Sequence, residues 1–281
     1  MNAPNHVAQG FSPAEQRFSP AEQRFSPAKP VQLFHTCLVN EVAPEVAMAA
    51  VRVLERLGCE VEVPADQTCC GQPAFNAGFH ADARQVARHT IGVLERTTGP
   101  IVIPSGSCAD MIVHQYERLF EEDAAMAARA HAVSARCREF SQFIADCGLR
   151  IADSGADAKP STIRNPQLAM KIAYHPSCHL LRGLGVDRQP KDLIASVDGA
   201  TPVEVRDQQE CCGFGGLFSV KNADISGAML ARKMDAIEAS GADRVVSCDL
   251  GCLLHIGGGL HRRGSNVRAQ HLAEFLDEAA R

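Results

Sequence analysis

A duplicated cysteine pattern constrains the fold of this chain more than any other feature of its sequence. Each half contains one cysteine, then a Cys-Cys-Gly step, then another cysteine. The eight positions are Cys37, Cys69, Cys70 and Cys108 in the first half and Cys178, Cys211, Cys212 and Cys252 in the second. Equivalent positions lie 141 to 144 residues apart, and scattered structural cysteines have no reason to repeat at matched spacing. Each half is therefore predicted to hold one thiolate-ligated metal centre, with an iron–sulfur cluster as the leading candidate.

Size and composition allow two ordinary domains and argue against nucleic acid as a partner. The chain has 281 residues, of which 46% are hydrophobic, enough for two packed cores. Its formal net charge is −5 without a dense basic run, whereas phosphate binding needs clustered Lys and Arg. The sequence has no apolar signal segment and no stretch near the roughly 20 apolar residues of a membrane span. We expect a soluble, cytoplasmic protein.

The twelve cysteines indicate metal ligands or redox groups before disulfides, because cytoplasmic thiols stay reduced. Disulfides remain an alternative, although adjacent cysteines rarely bond to each other without strain. Cys59, Cys137 and Cys147 match no position of the repeat, and we expect them to be buried apolar residues.

Two segments are expected to lie outside the domains. From residue 11 the chain reads FSPAEQR, FSPAEQR, FSPAK, in which recurrent prolines prevent a continuous helix and single phenylalanines cannot build a core. Residues 1–30 are predicted to form a disordered tail, either a functionless expansion or a partner-docking peptide. The polar, turn-rich segment 151–167 is the expected linker between domains at 31–150 and 168–281.

Apolar strands alternate with amphipathic helices in each half. The predicted strands cover 31–35, 60–63, 101–104, 171–175, 202–205 and 244–247. The predicted helices cover 44–57, 79–97, 188–197 and 222–239. This order predicts an α/β fold of two pseudo-repeated α/β domains with parallel sheets. The duplicated cysteines follow predicted strands, so their sites should lie at the C-terminal strand edges, where such sheets bind ligands.

The Cys-Cys-Gly step suits an iron–sulfur cluster better than zinc. Adjacent cysteines in a turn can reach different irons of a [4Fe–4S] cluster, and the glycine permits the positive φ that lets backbone amides approach sulfur. Nearby helix N-termini lower the cost of burying the negative cluster. Structural zinc sites usually use two short C-x₂₋₄-C knuckles, and neither half has such a pair, so zinc is kept as the rival metal.

These motifs resemble the CCG-domain iron–sulfur proteins and, among them, the lactate utilization protein A family. The likeness covers residues 31–281. It rests on CCGQPAFNAGF at 69–79, PSGSCADMI at 104–112, CCGFGGLFSVKN at 211–222 and CLLHIGGGL at 252–260. The resemblance implies two [4Fe–4S] clusters on the eight duplicated cysteines. It also implies an electron-transfer component, not catalytic alone, of a complex that oxidises L-lactate to pyruvate. The expected partners are a ferredoxin-type iron–sulfur protein and a small third protein.

Two departures from the general family signature bear on function. The signature ends in CxxC, but its first cysteine is replaced here by Ser105 in one half and by Asp249 in the other. The heterodisulfide reductase relatives need five cysteines for disulfide chemistry, so four per half favour an ordinary cubane. A thiol–disulfide redox subunit and a glycolate-oxidase-type iron–sulfur subunit remain the alternative functions. Cys248, beside Asp249, is either a buried strand-end cysteine or a surrogate fifth ligand.

Histidines and glycines near the motifs carry weaker signals. The histidines could hydrogen-bond a cluster sulfur or could serve only in packing or at the surface. The four candidates are His35, His175, His179 and His255. Among them the sequence favours His255, one helical turn after Cys252. GFGG at 213–216 and GGG at 257–259 do not form GxGxxG after a strand, so nucleotide binding is a minor alternative.

Overall fold

Two parallel sheets organise the residues that the computed structural model describes, 30–147 and 169–281. The strands are β1 (Val31–Leu33), β2 (Val61–Glu62), β3 (Ile101–Ile103), β4 (Cys137–Glu139), β5 (Met170–Tyr174), β6 (Ala200–Val203), β7 (Arg244–Ser247) and β8 (Arg268–His271). The strand orders are β2-β1-β3-β4 and β6-β5-β7-β8, and the pairs are parallel. The two halves therefore share one α/β topology, and the predicted fold is confirmed.

Helices connect these strands in the same order in both halves. The first half contains α1 (Cys37–Val42), α2 (Pro44–Arg56), α3 (Gln72–Asn76), α4 (His80–Leu94), α5 (Gly106–Asp110), α6 (Tyr116–Leu119), α7 (Ala124–Ser134) and α8 (Phe140–Asp146). The second contains α9 (Arg188–Ala195), α10 (Leu217–Lys221), α11 (Ala223–Ala239), α12 (Leu250–Arg262) and α13 (Leu272–Ala279). Short π-helical segments lie at Met111–Gln115 and His179–Gly183. Every predicted strand and helix is present, with ends that differ by a few residues.

The strand order places one switch point in each sheet. From β1 the chain first adds β2 on one side and later adds β3 on the other, and β5 relates to β6 and β7 in the same way. Connections from such neighbouring strands leave in opposite directions, which opens a crevice at their C-terminal ends. Cys37 and Cys108 follow β1 and β3, and Cys178 and Cys252 follow β5 and β7. The predicted position of the cysteines at the C-terminal strand edges therefore agrees with the topology.

Residues from both halves share one hydrophobic core. The shared core includes Val102 and Phe143 from the first half and Tyr174, Val246 and Phe275 from the second. A separate core in each half includes two of its duplicated cysteines, Cys70 and Cys108 in the first and Cys212 and Cys252 in the second. The halves are therefore packed against each other as well as repeated in sequence.

Some sequence expectations fall outside the described residues. These are the predicted tail at 1–30, apart from Pro30, and the linker at 151–167. The domain limits 31–150 and 168–281 accordingly stay predictions. Within the described ranges, no helix combines the length and the apolar character needed to cross a membrane.

The C-terminal helix ties the second half to the first through an ion-pair cluster. Helix α13 packs against α2, and the Asp277 carboxylate, only 2% exposed, lies 2.7 Å from Arg52, 2.8 Å from Arg56 and 2.7 Å from Arg281. Burial alone would raise the pKa of Asp277, but hydrogen bonds from these guanidinium groups lower it well below its ordinary value. The carboxylate is therefore charged at neutral pH and stabilises the contact.

We predict that Asp277→Asn lowers the free energy of unfolding by about 2 kcal/mol at neutral pH, because it removes a buried acceptor of several charged hydrogen bonds. Urea unfolding measures the change. Asp192→Asn is the matched control, since the Arg188–Asp192 pair is exposed and should cost less than about 1 kcal/mol. The lowered pKa means that the Asp277 contribution is present above about pH 4 and is lost as the pH falls further. Equal losses in both variants would contradict this account.

Candidate metal centres

The first cysteine set meets at the switch point of the first sheet. Cys37 begins α1, Cys69 and Cys70 lie in the turn before α3, and Cys108 lies in α5. The Sγ atoms of Cys70 and Cys108 are 3.3 Å apart. The Cys69 thiol contacts those of Cys37 and Cys70. Three separate segments, α1, the turn before α3 and α5, thus bring four sulfur atoms into one group.

The second set repeats this arrangement. Cys178 immediately precedes the π-helical segment His179–Gly183, and Cys252 lies in α12. The Sγ atoms of Cys212 and Cys252 are 3.3 Å apart, and the Cys211 thiol contacts those of Cys178 and Cys212. The repeat seen in the sequence is therefore also a repeat of sulfur positions.

The glycine of each Cys-Cys-Gly step has a positive φ and donates its N–H to sulfur. Gly71 has φ +88° and lies 3.4 Å from Cys69 Sγ, while Gly213 has φ +89° and lies 3.3 Å from Cys211 Sγ. Hydrogen bonds from the neighbouring thiols, supplemented by these N–H groups, hold the pKa values of Cys69 and Cys211 well below the ordinary thiol value. Without a metal, one thiolate per site is thus stabilised, while burial and the neighbouring thiols raise the pKa values of Cys37, Cys70, Cys178 and Cys212.

The donor set fits a thiophilic metal centre. All twelve cysteines are free, and the first cysteine of each half and of each Cys-Cys step is half-buried, whereas the other four of the repeat are buried. Sulfur-only donor sets of this kind suit iron–sulfur clusters and zinc. Each set therefore has two enclosed thiols and a more accessible side.

The cysteines outside the repeat occupy other places. Cys59 and Cys137 are buried in hydrophobic cores, as expected, whereas Cys147 is only half-buried and packs against the edge of one. Cys248 is fully buried, and its neighbours are Glu139, Ser141 and Tyr174. We therefore leave Cys248 out of the candidate ligand set, in line with its interpretation as a buried strand-end cysteine.

Ser105 and Asp249, which replace cysteines of the family signature, are hydrogen-bonded to each other between the halves. The Ser105 hydroxyl donates to Asp249 Oδ2 at 3.5 Å, and the Ser107 N–H donates to the same oxygen at 2.8 Å. The Gly106 N–H donates to the carbonyl of Cys248 at 3.2 Å. Ser105 and Asp249 thus join the two halves where the family signature has cysteines.

Among the four candidate histidines, His175 is the one whose two ring nitrogens are both buried without a hydrogen-bond partner in the described part of the chain. His175 is 2% exposed, and a ring nitrogen of it lies within 4.8 Å of the Sγ atoms of Cys212 and Cys252. Burial, together with the charge of Lys233, lowers its pKa to about 3, so the ring is neutral.

The other three histidines are already hydrogen-bonded. His255, which the sequence favoured, faces the Ser226 hydroxyl at 3.2 Å. His179 Nδ1 lies 2.7 Å from Asp110 of the first half, and His35 Nδ1 lies 3.3 Å from the Thr36 carbonyl. Each of these rings therefore has at least one nitrogen bonded to a protein group other than a cysteine.

Sequence reasoning missed Lys233, a cation buried beside the second site. Lys233 is 3% exposed and donates from Nζ to the carbonyls of Asp207 at 3.1 Å and Gln208 at 3.0 Å. It shares the buried face of α11 with Leu230, Met234 and Ile237. The sequence could have indicated this burial, because Lys233 is spaced so that it falls on the apolar face of an amphipathic helix.

Both halves match the CCG family model, described as a cysteine-rich domain, over residues 31–113 and 172–257. The crystal structure of a hypothetical protein from Helicobacter pylori has a TM-score of 0.64 and 10% identity over 92% of this chain and 50% of that one. The present chain thus spans half the length of that protein, and the likeness shows the fold alone. Fold and site together define a protein with two cysteine-rich domains.

Similar proteins of known name identify one family within the class of proteins with two cysteine-rich domains. Lactate utilization protein A of Exiguobacterium is 42% identical over 89% of this chain and 98% of its own length. The proteins of that name from Bacillus cytotoxicus and Halalkalibacterium halodurans are 44% and 41% identical over 88% and 89% of this chain, each matched over 98% of its length. The chain belongs to the lactate utilization protein A family of CCG-domain proteins, which confirms the resemblance seen in the sequence.

We predict that Gly213→Ala destabilises the protein more than Gly71→Ala. Both positions have positive φ, but a Cβ at Gly213 would lie 2.7 Å from the Ser226 carbonyl, whereas a Cβ at Gly71 would meet nothing closer than 3.4 Å. The expected losses in unfolding free energy are about 3 and about 1 kcal/mol. Anaerobic urea titration measures both, and a larger loss for Gly71→Ala would refute the comparison.

Proposed function

We propose that the chain is an iron–sulfur electron-transfer component of a system that oxidises L-lactate to pyruvate. The observation that carries the proposal is the pair of four-thiol groups at equivalent switch points. The identity of 41 to 44% to proteins named lactate utilization protein A supports the substrate. We place its work in the cytoplasm, where free thiols persist.

Each half would hold one [4Fe–4S] cluster on its four cysteines. The proposed ligands are Cys37, Cys69, Cys70 and Cys108 for the first cluster and Cys178, Cys211, Cys212 and Cys252 for the second. When bound, such a cluster supplies one-electron transfer. The chain contributes thiolates, N–H donors at Gly71 and Gly213, and the partial enclosure that leaves one side of each sulfur group accessible to a redox partner.

Lactate oxidation releases two electrons, whereas an iron–sulfur cluster carries one at a time. We therefore assign the hydride-level step to a flavin or another acceptor elsewhere in the system. The proposed partners are a ferredoxin-type iron–sulfur protein and a small third protein. In this arrangement the chain passes electrons and does not oxidise lactate alone.

The alternative disulfide chemistry has less support. It needs a fifth sulfur at each cluster, but Ser105 and Asp249 stand at those positions and bond to each other. Cys248 is surrounded by Glu139, Ser141 and Tyr174. A glycolate-oxidase-type subunit would use the same clusters and differs only in substrate.

Reduction by lactate tests the proposed role. The full chain, loaded anaerobically and mixed with its two partner proteins, should lose its iron–sulfur absorption when L-lactate is added. It should keep that absorption when L-lactate is added without the partners. Bleaching by glycolate but not by L-lactate would replace the lactate assignment with the glycolate alternative.

Cysteine variants test the ligand sets. We expect the double variant Cys69→Ala with Cys70→Ala to retain about half of the wild-type iron, and the double variant Cys211→Ala with Cys212→Ala to retain the other half. Cys248→Ser is the matched control and should retain all of it. Iron and acid-labile sulfide assays give the result. Loss of iron in Cys248→Ser would restore this residue as a ligand.

A further inference from the structure

We propose that the two centres are unequal and that the second half holds the more easily reduced one. The inference rests on the proposed function, because it requires a cluster in each half. It comes from two positions beside the cysteines at which the halves differ in charge or polarity.

The first difference is a buried cation. A Cβ at Gly71 would approach the carbonyl of Ala83, and a Cβ at Gly213 would approach that of Ser226. Ala83 and Ser226 therefore occupy equivalent helix positions. Seven residues further along each helix stand Thr90 in α4 and Lys233 in α11. Thr90 donates a hydroxyl hydrogen bond to the Cys69 carbonyl at 3.3 Å, whereas Lys233 brings a positive charge close enough to act on Cys211 and Cys212.

The second difference is a hydrogen-bond donor. Phe34 and His175 each lie three residues before the first cysteine of their half. The Phe34 N–H donates to the Val102 carbonyl at 2.9 Å, and the His175 N–H donates to the Val246 carbonyl at 2.8 Å. The two side chains therefore occupy equivalent places, but one is apolar and the other has a ring nitrogen within 4.8 Å of the sulfurs of Cys212 and Cys252.

Both differences favour the reduced form of the second cluster. Reduction adds one negative charge, which a nearby cation and an N–H donor stabilise more than they stabilise the oxidised form. An imidazole ring carries at least one N–H in either protonation state, and no described residue accepts from the ring of His175. The cluster sulfur is the acceptor that would satisfy this buried donor.

Acidic groups around the sites do not cancel this difference. Asp249 stands where the first half has the neutral Ser105, and its charge acts on Cys178 and Cys252, but its carboxylate is hydrogen-bonded by Ser105 and Ser107 of the first half. Glu210, beside Cys211, is partly exposed and lies 3.5 Å from Arg232. The first site has its own buried carboxylate at Asp110, two residues from Cys108. The unmatched buried carboxylates thus fall one in each half, Asp110 in the first and Asp249 in the second, whereas Lys233 and His175 both belong to the second half.

The consequence is a direction for electrons inside the chain. The first electron supplied to the oxidised protein should rest on the second-half cluster. An electron that enters at the first-half cluster should move to the second, oxidising the first and reducing the second by one electron each.

A redox titration followed by electron paramagnetic resonance tests the inference on the full, iron-loaded chain with dithionite as reductant. Wild type should reduce in two steps. His175→Phe and Lys233→Thr introduce the residues that the first half has at these positions. Each should lower the midpoint potential of the step that occurs at the higher potential. At a fixed ambient potential, His175→Phe should reduce the ratio of reduced to oxidised second cluster by roughly tenfold. His175→Gln, which restores an N–H donor, should recover part of this loss. Lys171→Thr removes an exposed lysine of β5 and should change neither step.

Two results would overturn the inference: a single step for both clusters in wild type, or variants that shift only the lower step. If the variants lose the second cluster, the two double-alanine chains give the comparison directly. The chain that keeps Cys211 and Cys212 should then be reduced at the higher potential, and the opposite order would overturn the inference. Absence of iron and sulfide from wild type would instead refute the proposed function itself.

Discussion

Each half of this molecule depends on bringing four thiols from three separate chain segments into one group. Thiolates repel one another, so such a group is stable only if the backbone holds it and a cation or N–H donors offset the charge. The switch point of a parallel sheet provides the position, because loops from neighbouring strands meet there. The Cys-Cys-Gly turn supplies the remaining sulfurs and an N–H donor, at Gly71 in one half and Gly213 in the other.

Duplication made two such sites, and the contact between the halves then made each dependent on the other. Asp249 accepts the Ser107 N–H one residue before Cys108, and Asp110 of the first half accepts from His179, one residue after Cys178. Ligand-bearing segments of one half are thus positioned by side chains of the other. The shared core and the packing of α13 against α2 add to this coupling.

The repeat made much of the fold predictable from sequence, because the strand and helix periods and the cysteine spacing recur in matched order. Strands β4 and β8 were missed because Cys-Arg-Glu and Arg-Ala-Gln-His lack an apolar run. His255 was preferred over His175 from helical spacing alone. The sequence could not show that Ser226 satisfies His255 while His175 is left unpartnered at the sulfurs. The burial of Lys233 was not predicted either, because it depends on how α11 packs against the rest of the domain.

The central claim is that each half holds an iron–sulfur cluster, and metal analysis of the full chain tests it most directly. Iron, acid-labile sulfide and zinc should be measured on one anaerobically purified sample. The account predicts about eight irons and about eight sulfides per chain, with no stoichiometric zinc. Zinc without sulfide would contradict it, since the same thiols would then form structural zinc sites that carry no electrons.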